Sequence, residues 1–425
     1  MKFADLKGTI KYLSVLFSVT LLLLIGCEYL FRAALLIKKS FKEEGESRNT
    51  EKVFQDLITA FDGKYSKDTI NEMAPLVQGR LQYDSWIGLS NADHQNKYSE
   101  AKNGRRRTVQ SSLKCTNPKE VWFFGSSTTY GIGVPWFSTI PSKFVGYSDK
   151  AGECFKVFNF GVPYHYSFQE VIYLTTELAK KNIKKPDLAI FIDGLNDFLF
   201  EGPSIRKELV FAKSLRGIID DSPDPLNDLN QLVMATSLGD MYKFPFDFNS
   251  RLIKYLKYKI SFNKNPMFNF KSKEITSTYS GVDISSFSDE QLNDVPFEIK
   301  AKYVADNMKT TREFLAKICK MYSIKCYQFL QPVPMIDYAP SLNETLTDSR
   351  FTKFPVKQLI MEGYKKVRDD FKKESYQYLS TYDISSIFLN YKDGIPYVDA
   401  THYSPRASSL ISENIFKIIK KDISK

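Results

Sequence analysis

From position 120 onward the chain alternates short apolar runs with stretches in which apolar residues recur every three or four positions. Short apolar runs bounded by turn residues predict buried strands, and the wider spacing predicts helices that cross from one parallel strand to the next. This alternation predicts an α/β fold, a doubly wound α/β/α sandwich. The predicted strands are Val121–Phe124, Val157–Phe160, Leu188–Ile192 and Cys326–Leu330, and the predicted crossover helices are Ser167–Lys180 and Asn307–Met321.

The alternation is interrupted at about 200–300 and is absent before position 118. A chain of 425 residues is long enough for one large α/β domain that carries an insertion. We therefore predict a domain over 118–425 with an insertion at about 200–300. The insertion is either a cap over the carboxyl edge of the sheet or a surface excursion.

The amino-terminal part of the chain contains a predicted membrane anchor. Residues 12–37 are apolar and rich in leucine, with only Glu28 and Arg32 charged, and a spanning helix needs about 20 apolar residues. We expect residues 1–11 to be a cytoplasmic tail, 12–37 a transmembrane signal anchor, and 38–117 a juxtamembrane linker followed by a pre-domain segment. Alternatively, Leu24-Ile-Gly-Cys27 matches a lipobox, which would leave a lipidated Cys27 at the mature N-terminus.

Charge and cysteine content limit the partners. The net charge of +10 is spread thinly, and the only tight basic run, Arg105–Arg107, is predicted to be a solvated loop, so no nucleic-acid partner is expected. Beyond Cys27, none of the four cysteines has metal-ligand spacing, and no metal is predicted. They are compatible with two disulfides in an oxidising compartment, or with four buried free thiols. The candidate pairs are Cys115 with Cys154 and Cys319 with Cys326.

The heptapeptide Gly-Ser-Ser-Thr-Thr-Tyr-Gly at 125–131 directly follows the first predicted strand. In an open parallel sheet, ligands bind at the carboxyl ends of the strands, and a hydroxyl on the strand-to-helix turn lies near the N-terminus of the next helix. Ser127 is therefore a candidate nucleophile. The alternative is a serine or threonine that only caps the helix.

The chain has three histidines, at 94, 165 and 402, and His402 is the candidate general base. It follows Asp399 by three residues, in a loop just before the predicted C-terminal helix. At this spacing the carboxylate can accept the Nδ1 proton and leave Nε2 facing a serine hydroxyl. The alternative is a helix-capping aspartate beside a surface histidine.

Two further turns offer hydrogen-bond donors for a tetrahedral oxyanion. Asn159-Phe-Gly161 closes the second predicted strand, and Gly194-Leu-Asn196-Asp197 closes the third. We predict an oxyanion hole formed by the Ser127 and Gly161 N–H groups and the Asn196 side chain, each donor being worth about 3 kcal/mol in the transition state. Taken singly, Gly161 could be a turn residue and Asn196 a cap.

Together these motifs resemble the SGNH (GDSL-like) hydrolase family, over roughly 120–416 without the insertion. The resemblance rests on Ser127, Gly161, Asn196 and the Asp399-Ala-Thr-His402 motif. It implies a flavodoxin-like three-layer α/β/α sandwich with a parallel sheet, a Ser127–His402–Asp399 triad, and no metal or cofactor.

One residue departs from the family pattern, because the usual aspartate after the first glycine is Ser126 here. That aspartate is not a triad member, so we expect its loss to alter the turn rather than to remove catalysis. His165 and Asp197 lie beside the motifs and are expected in or near the cleft, with a structural role favoured for His165.

The resemblance implies a serine esterase that removes O-acetyl or other acyl groups from an envelope glycan or lipid. The alternatives are an O-acyltransferase that moves the acyl group to a saccharide, and a catalytically silent domain that binds glycan or acts as a scaffold. With the predicted anchor, we expect a single-pass protein of a bacterial inner membrane whose catalytic domain is periplasmic. The oligomeric state is left open.

Overall fold

The computed structural model describes residues 58–201, 295–336 and 356–424, apart from positions 62, 75, 182, 335, 393, 394 and 400. The predicted anchor at 12–37, the linker as far as 57 and nearly all of the insertion at about 200–300 lie outside the described residues. Within the described ranges, no helix combines the length and the apolar character that crossing a membrane requires.

Among the described residues, the main sheet has eight strands, of which five are parallel and adjacent. Numbered one to five along the chain, the parallel strands lie in the order 2-1-3-4-5, which is a doubly wound arrangement with a switch point beside the first strand. The predicted α/β fold with a parallel sheet is confirmed. The parallel strands are β6 (Lys119–Gly125), β7 (Phe155–Asn159), β8 (Leu188–Asp193), β9 (Lys325–Leu330) and β10 (Leu379–Asp383).

The helices cover both faces of the sheet. On one face Val121 and Phe123 of β6 pack in a core with residues of the helices α3 (Ile140–Lys150) and α7 (Pro405–Ile423). On the other face Trp122 and Phe124 pack in a core with residues of α4 (Ser167–Ala179) and α5 (Phe297–Tyr322). Alternate residues of one strand therefore enter opposite cores, because successive side chains of a strand point to opposite faces. The helices are α1 (Lys67–Met73), α2 (Ser127–Tyr130), α3 (Ile140–Lys150), α4 (Ser167–Ala179), α5 (Phe297–Tyr322), α6 (Val356–Lys373) and α7 (Pro405–Ile423).

Part of the pre-domain segment extends this sheet. Strands β3 (His94–Gln95), β4 (Glu100–Lys102) and β5 (Arg105–Arg106) form an antiparallel ribbon, and β5 joins the edge strand β7 through Arg106 and Asn159. The prediction of a solvated basic loop is wrong for Arg106, which is only 2% exposed. Strands β1 (Leu81–Asp84) and β2 (Gly88–Asn91) form a separate hairpin.

Two disulfides join the cysteines that the sequence paired. Cys115 is bonded to Cys154, and Cys319 to Cys326, with Cα–Cα distances of 6.4 and 6.2 Å. The first links the segment before β6 to the segment before β7, and the second links the end of α5 to β9. The alternative of four free thiols is therefore not what the structure contains.

Candidate active site

Ser127 is the first residue of the short helix α2, immediately after strand β6. The turn is tight, because a Cβ at Gly125 (φ 154°) would lie 2.1 Å from Thr129 Oγ1 and 3.0 Å from the Ile192 carbonyl oxygen. Ser126 occupies the N-cap position, but its side chain makes no capping hydrogen bond and its Oγ lies 3.2 Å from Thr128 Oγ1. Ser126 is buried, whereas Ser127 is partly exposed, so Ser127 presents the more accessible hydroxyl.

Asp399 and His402 form the hydrogen-bonded pair that their spacing predicts. His402 Nδ1 lies 2.6 Å from Asp399 Oδ2, and the backbone N–H groups of Thr401 and His402 each donate to Asp399 Oδ1 at 2.8 Å. Burial acts to raise the pKa of the Asp399 carboxyl, but the charge of His402 and these hydrogen bonds outweigh it and hold the pKa below its usual value. The carboxylate thus stays ionised and fixes the orientation of the imidazole.

The loop that carries this pair lies against the turn after helix α2. A Cβ at Gly133 would lie only 2.5 Å from Val398 Cγ2, so the two loops are in close contact. The Tyr403 hydroxyl donates to the Pro332 carbonyl at 2.7 Å, which ties the same loop to the end of β9. These contacts bring Asp399 and His402 to the carboxyl edge of the sheet, where Ser127 also lies.

His402 Nε2 is buried and has no hydrogen-bond partner among the described residues. The hydrogen bond from Ser127 to His402 is therefore not formed in this state of the molecule. Catalytic hydrogen bonds are often long before substrate binds and shorten in the substrate complex. The imidazole is anchored through Nδ1, so Nε2 is the ring nitrogen that can face a serine hydroxyl.

Gly161 packs against the nucleophile helix. A Cβ there would lie 2.3 Å from the Tyr130 backbone nitrogen, so only glycine fits. Its N–H donates to Asn159 Oδ1 at 2.9 Å, and its carbonyl accepts from Asn91 Nδ2 at 2.8 Å. The single hydrogen that was predicted to serve the oxyanion is thus bound to Asn159 in this state.

Asn196 follows β8 and directly precedes a π-helical turn, Asp197–Glu201. Its Nδ2 donates to the His165 carbonyl at 2.7 Å. An amide nitrogen carries two hydrogens, so a second donor remains. π-Helical turns are frequent at functional sites, which agrees with the position of Asn196 at the switch point of the sheet.

His165 and Asp197 lie beneath the sheet edge, and both are fully buried. His165 Nε2 is 2.8 Å from the Leu89 carbonyl oxygen, and burial lowers the pKa of His165 to about 4, so the ring is neutral and holds the β1–β2 hairpin. Asp197 accepts from the N–H and the hydroxyl of Ser167, at 3.2 and 2.5 Å, at the start of α4. His165 therefore holds the β1–β2 hairpin, and Asp197 holds the start of α4, next to the site.

A pair of buried carboxyl groups, Glu170 and Asp193, lies behind the site. Gln328 Nε2 donates to Asp193 Oδ2 at 2.5 Å. Burial, and then the negative charge of Asp193, raise the pKa of Glu170 well above its usual value, which favours the protonated carboxyl.

We expect Glu170→Gln to reduce the loss of folding stability that accompanies rising pH. The unfolded chain releases the Glu170 proton near about pH 4.3, whereas the folded protein retains it to higher pH. Between these two pH values, folding takes up a proton at Glu170. The stability that the protonated carboxyl contributes is fully present below the unfolded-state pKa and is lost as the pH rises towards the folded-state pKa. Glutamine removes this titration and should flatten the decline of the urea midpoint as the pH rises above about 4.3. Identical pH slopes for the variant and the wild type would contradict the assignment.

Arg106 is a buried residue that supports the nucleophile helix and that the sequence did not predict. Its guanidinium donates to the carbonyl oxygens of Tyr130 and Gly131 at 2.7 and 2.6 Å, and to that of Val134 at 2.8 Å. It also stacks on the Tyr130 ring, 4.3 Å from the centroid. A cation at the C-terminal end of a helix opposes the negative end of the helix dipole. Arg106 thus fixes the far end of the helix that begins at Ser127.

Replacing Arg106 with methionine is expected to lower the free energy of unfolding by about 2–4 kcal/mol, because three charge-assisted hydrogen bonds are lost. Urea denaturation measures the change. Arg105→Met is the matched control, because Arg105 lies over the Phe158 and Phe160 rings but is only partly buried. Equal, small losses in the two variants would show that Arg106 does not fix the turn.

Comparisons with known proteins give only remote similarities. No protein-family model matches the chain, and no curated protein matches it. The psychrotrophic esterase EstA from Pseudoalteromonas sp. is 10% identical, with a TM-score of 0.35, over 72% of this chain and 100% of that one. The acetyl xylan esterase AlAXEase is 10% identical, with a TM-score of 0.34, over 71% and 99% of the two chains. A lipolytic protein of the G-D-S-L family from Veillonella parvula is 10% identical, with a TM-score of 0.35, over 71% and 98%. Similarities of this size do not establish a function.

Proposed function

We propose that the chain is a serine ester hydrolase of the SGNH type, with Ser127 as nucleophile and His402 as general base. The observation that carries this proposal is the state of His402, whose Nδ1 lies 2.6 Å from the Asp399 carboxylate while its Nε2 has no partner in the described part of the chain. A buried imidazole nitrogen without a partner among the described residues suits nucleophilic catalysis when it lies at the same sheet edge as a serine that begins a helix.

In the proposed reaction, His402 Nε2 takes the proton of the Ser127 hydroxyl as Oγ attacks the ester carbonyl. The tetrahedral intermediate collapses to an acyl-enzyme, and the imidazolium returns its proton to the departing alcohol. A water molecule, deprotonated by His402, then releases the carboxylic acid. Asp399 keeps the imidazole in the required tautomer and stabilises its cation.

The oxyanion is stabilised by the Ser127 N–H and by the second hydrogen of Asn196 Nδ2. Ser127 is the first residue of its helix, where backbone N–H groups have no intrahelical partner. Gly161 serves as a third donor only by sharing its hydrogen between Asn159 Oδ1 and the oxyanion. Each well-placed donor is worth about 3 kcal/mol in the transition state.

For the substrate we propose an O-acylated glycan of the cell envelope, from which the enzyme removes acetyl or similar groups. The site would lie outside the cytoplasm, tethered by the predicted anchor at 12–37, and the two disulfides support an oxidising compartment.

Hydrolysis of p-nitrophenyl acetate by the wild type and by Ser127→Ala tests the proposal. We expect the wild type to be active and the variant to fall to the rate of buffer. Ser126→Ala is the matched control, because it removes the neighbouring hydroxyl, and it should retain most of the activity. Equal rates for the wild type and Ser127→Ala would overturn the proposal. Adding a saccharide acceptor then distinguishes free acetate, expected for a hydrolase, from transfer to the sugar.

A further inference from the structure

Tyr164 has a backbone conformation that bulky residues avoid. Its φ of 72° lies in the left-handed region, which is costly for any residue with a Cβ and is an outlier for an aromatic one. The other described non-glycine residues with positive φ have local explanations, because Asn103 lies in a turn between two short strands and Ser323 ends helix α5. Tyr164 follows Pro163 in a turn that the hydrogen bond from the His165 N–H to the Val162 carbonyl closes. That position of such a turn favours glycine or asparagine, so a tyrosine there is still strained, and strained residues cluster at functional sites.

The strain at Tyr164 is imposed by its neighbours. The His165 N–H donates to the Val162 carbonyl at 3.2 Å, and the His165 carbonyl accepts from Asn196 Nδ2 at 2.7 Å. The His165 ring is buried against the Leu89 carbonyl, and the preceding residue is a proline with a fixed φ. The backbone is thus held on both sides of Tyr164, one residue from the carbonyl that binds Asn196.

The Tyr164 side chain is 45% exposed at this edge of the sheet. Two further aromatic side chains stand exposed on adjoining elements, Phe168 at 45% and Trp86 at 79%. Gln169 Nε2 donates to the Ile87 carbonyl at 3.0 Å, so the chain positions next to Phe168 and Trp86 are in contact. We call Tyr164, Phe168 and Trp86 the aromatic strip.

We propose that the aromatic strip binds sugar rings of the substrate, with Tyr164 contacting the ring that carries the scissile acyl group. This inference rests on the proposed function, because it takes Asn196 as an oxyanion donor. Asn196 Nδ2 is hydrogen-bonded to the His165 carbonyl, one residue from Tyr164. A sugar ring that stacks on the Tyr164 ring would therefore be held at a fixed distance from the oxyanion donor and from the reacting carbonyl.

The open character of the strip favours a sugar over an acyl chain. An acyl chain gains affinity in proportion to the apolar area removed from water, which requires enclosure in a cavity. A pyranose ring has one apolar face of C–H groups and a polar rim. It can stack on one exposed aromatic face and leave its hydroxyls hydrated, as side chains exposed by 45–79% permit.

Three acetyl or acyl esters test the inference on Tyr164→Gly: glucose pentaacetate, ethyl acetate and ethyl octanoate, each followed by acid release in a pH-stat. For glucose pentaacetate we expect KM to rise about tenfold. For ethyl acetate we expect unchanged kcat/KM, because the catalytic groups are intact. Glycine also tolerates positive φ, so the Tm of the variant should be no lower than that of the wild type.

Two control variants sharpen the comparison. Tyr164→Phe keeps the ring and should retain the wild-type KM for the sugar ester. Phe314→Ala removes a comparably exposed aromatic side chain from helix α5 and should change nothing.

Several results would overturn the inference: an unchanged KM for glucose pentaacetate in Tyr164→Gly, a wild type that cleaves ethyl acetate but not the sugar ester, or a large drop in Tm. A KM that rises for ethyl octanoate alone would assign the strip to an acyl chain instead. If the wild type cleaves none of the three esters, the proposed function itself fails, which is a distinguishable outcome.

Discussion

Alanine in place of His402 is expected to lower kcat for ester hydrolysis by about four orders of magnitude or more, with little change in KM. In the proposed mechanism the imidazole takes the proton of the Ser127 hydroxyl, and without a base this hydroxyl is a weak nucleophile at neutral pH. The comparison uses initial rates on p-nitrophenyl acetate, with circular dichroism to show that both proteins are folded.

Asp399→Asn separates the two roles within the pair. The amide cannot supply the negative charge that stabilises the imidazolium, and it can favour the wrong tautomer of His402. We expect a large loss of kcat that does not add to the loss from His402→Ala, because the two residues act as a unit. As a control, His94→Ala removes a histidine whose Nδ1 and Nε2 lie 3.0 Å from the Ala92 carbonyl oxygen and from Ser99 Oγ. Comparable losses in His94→Ala and His402→Ala would contradict the assignment of the base.

Removal of the Cys115–Cys154 bond, by serine at both positions, is the second large effect that we expect. The bond closes a loop with a sequence separation of 39 residues. On the chain-entropy account, cross-linking a loop of this length stabilises the folded state by about 4 kcal/mol. Urea denaturation of the oxidised wild type and of the double variant measures the loss.

The Cys319–Cys326 bond supplies the matched control, because its sequence separation is only 7 residues. The same account gives about 2.5 kcal/mol for its removal. The variant without the Cys115–Cys154 bond should therefore lose more free energy of unfolding than the variant without the Cys319–Cys326 bond. A larger loss for the shorter loop would show that effects within the folded state dominate. Reaction of Cys115, Cys154, Cys319 and Cys326 with iodoacetamide in the unreduced, unfolded protein would contradict both bonds.

The parallel sheet could be predicted because its inner strands are continuous apolar runs. All six residues of β8 are buried, which gives the sequence an unmistakable signal. Strand β10 was missed, because only Leu379 of its five residues is buried at the sheet edge. The β3–β5 ribbon was missed for a similar reason: its strands are two or three residues long and mostly polar. Its membership of the sheet depends on the pairing of Arg106 with Asn159, which no local pattern encodes.

The candidate site also has features that the local sequence predicts and features that depend on residues distant in the chain. Asp399 and His402 are three residues apart, so local geometry could predict their hydrogen bond. The bond from Gly161 N–H to Asn159 Oδ1 is equally local, but the sequence suggested a different use for that hydrogen. The support from Arg106 joins positions 24 to 28 residues apart, and a buried arginine among exposed ones resembles an ordinary basic run.

Covalent labelling with a fluorophosphonate tests the central claim most directly, because the reagent reacts with an activated serine hydroxyl and leaves a stable adduct. We expect one adduct per chain, located by peptide mass spectrometry on Ser127, with labelling much slower in His402→Ala and absent in Ser127→Ala. Labelling that is no faster than in the urea-unfolded protein, or an adduct on Ser126 or another serine, would contradict the assignment of Ser127 as the nucleophile.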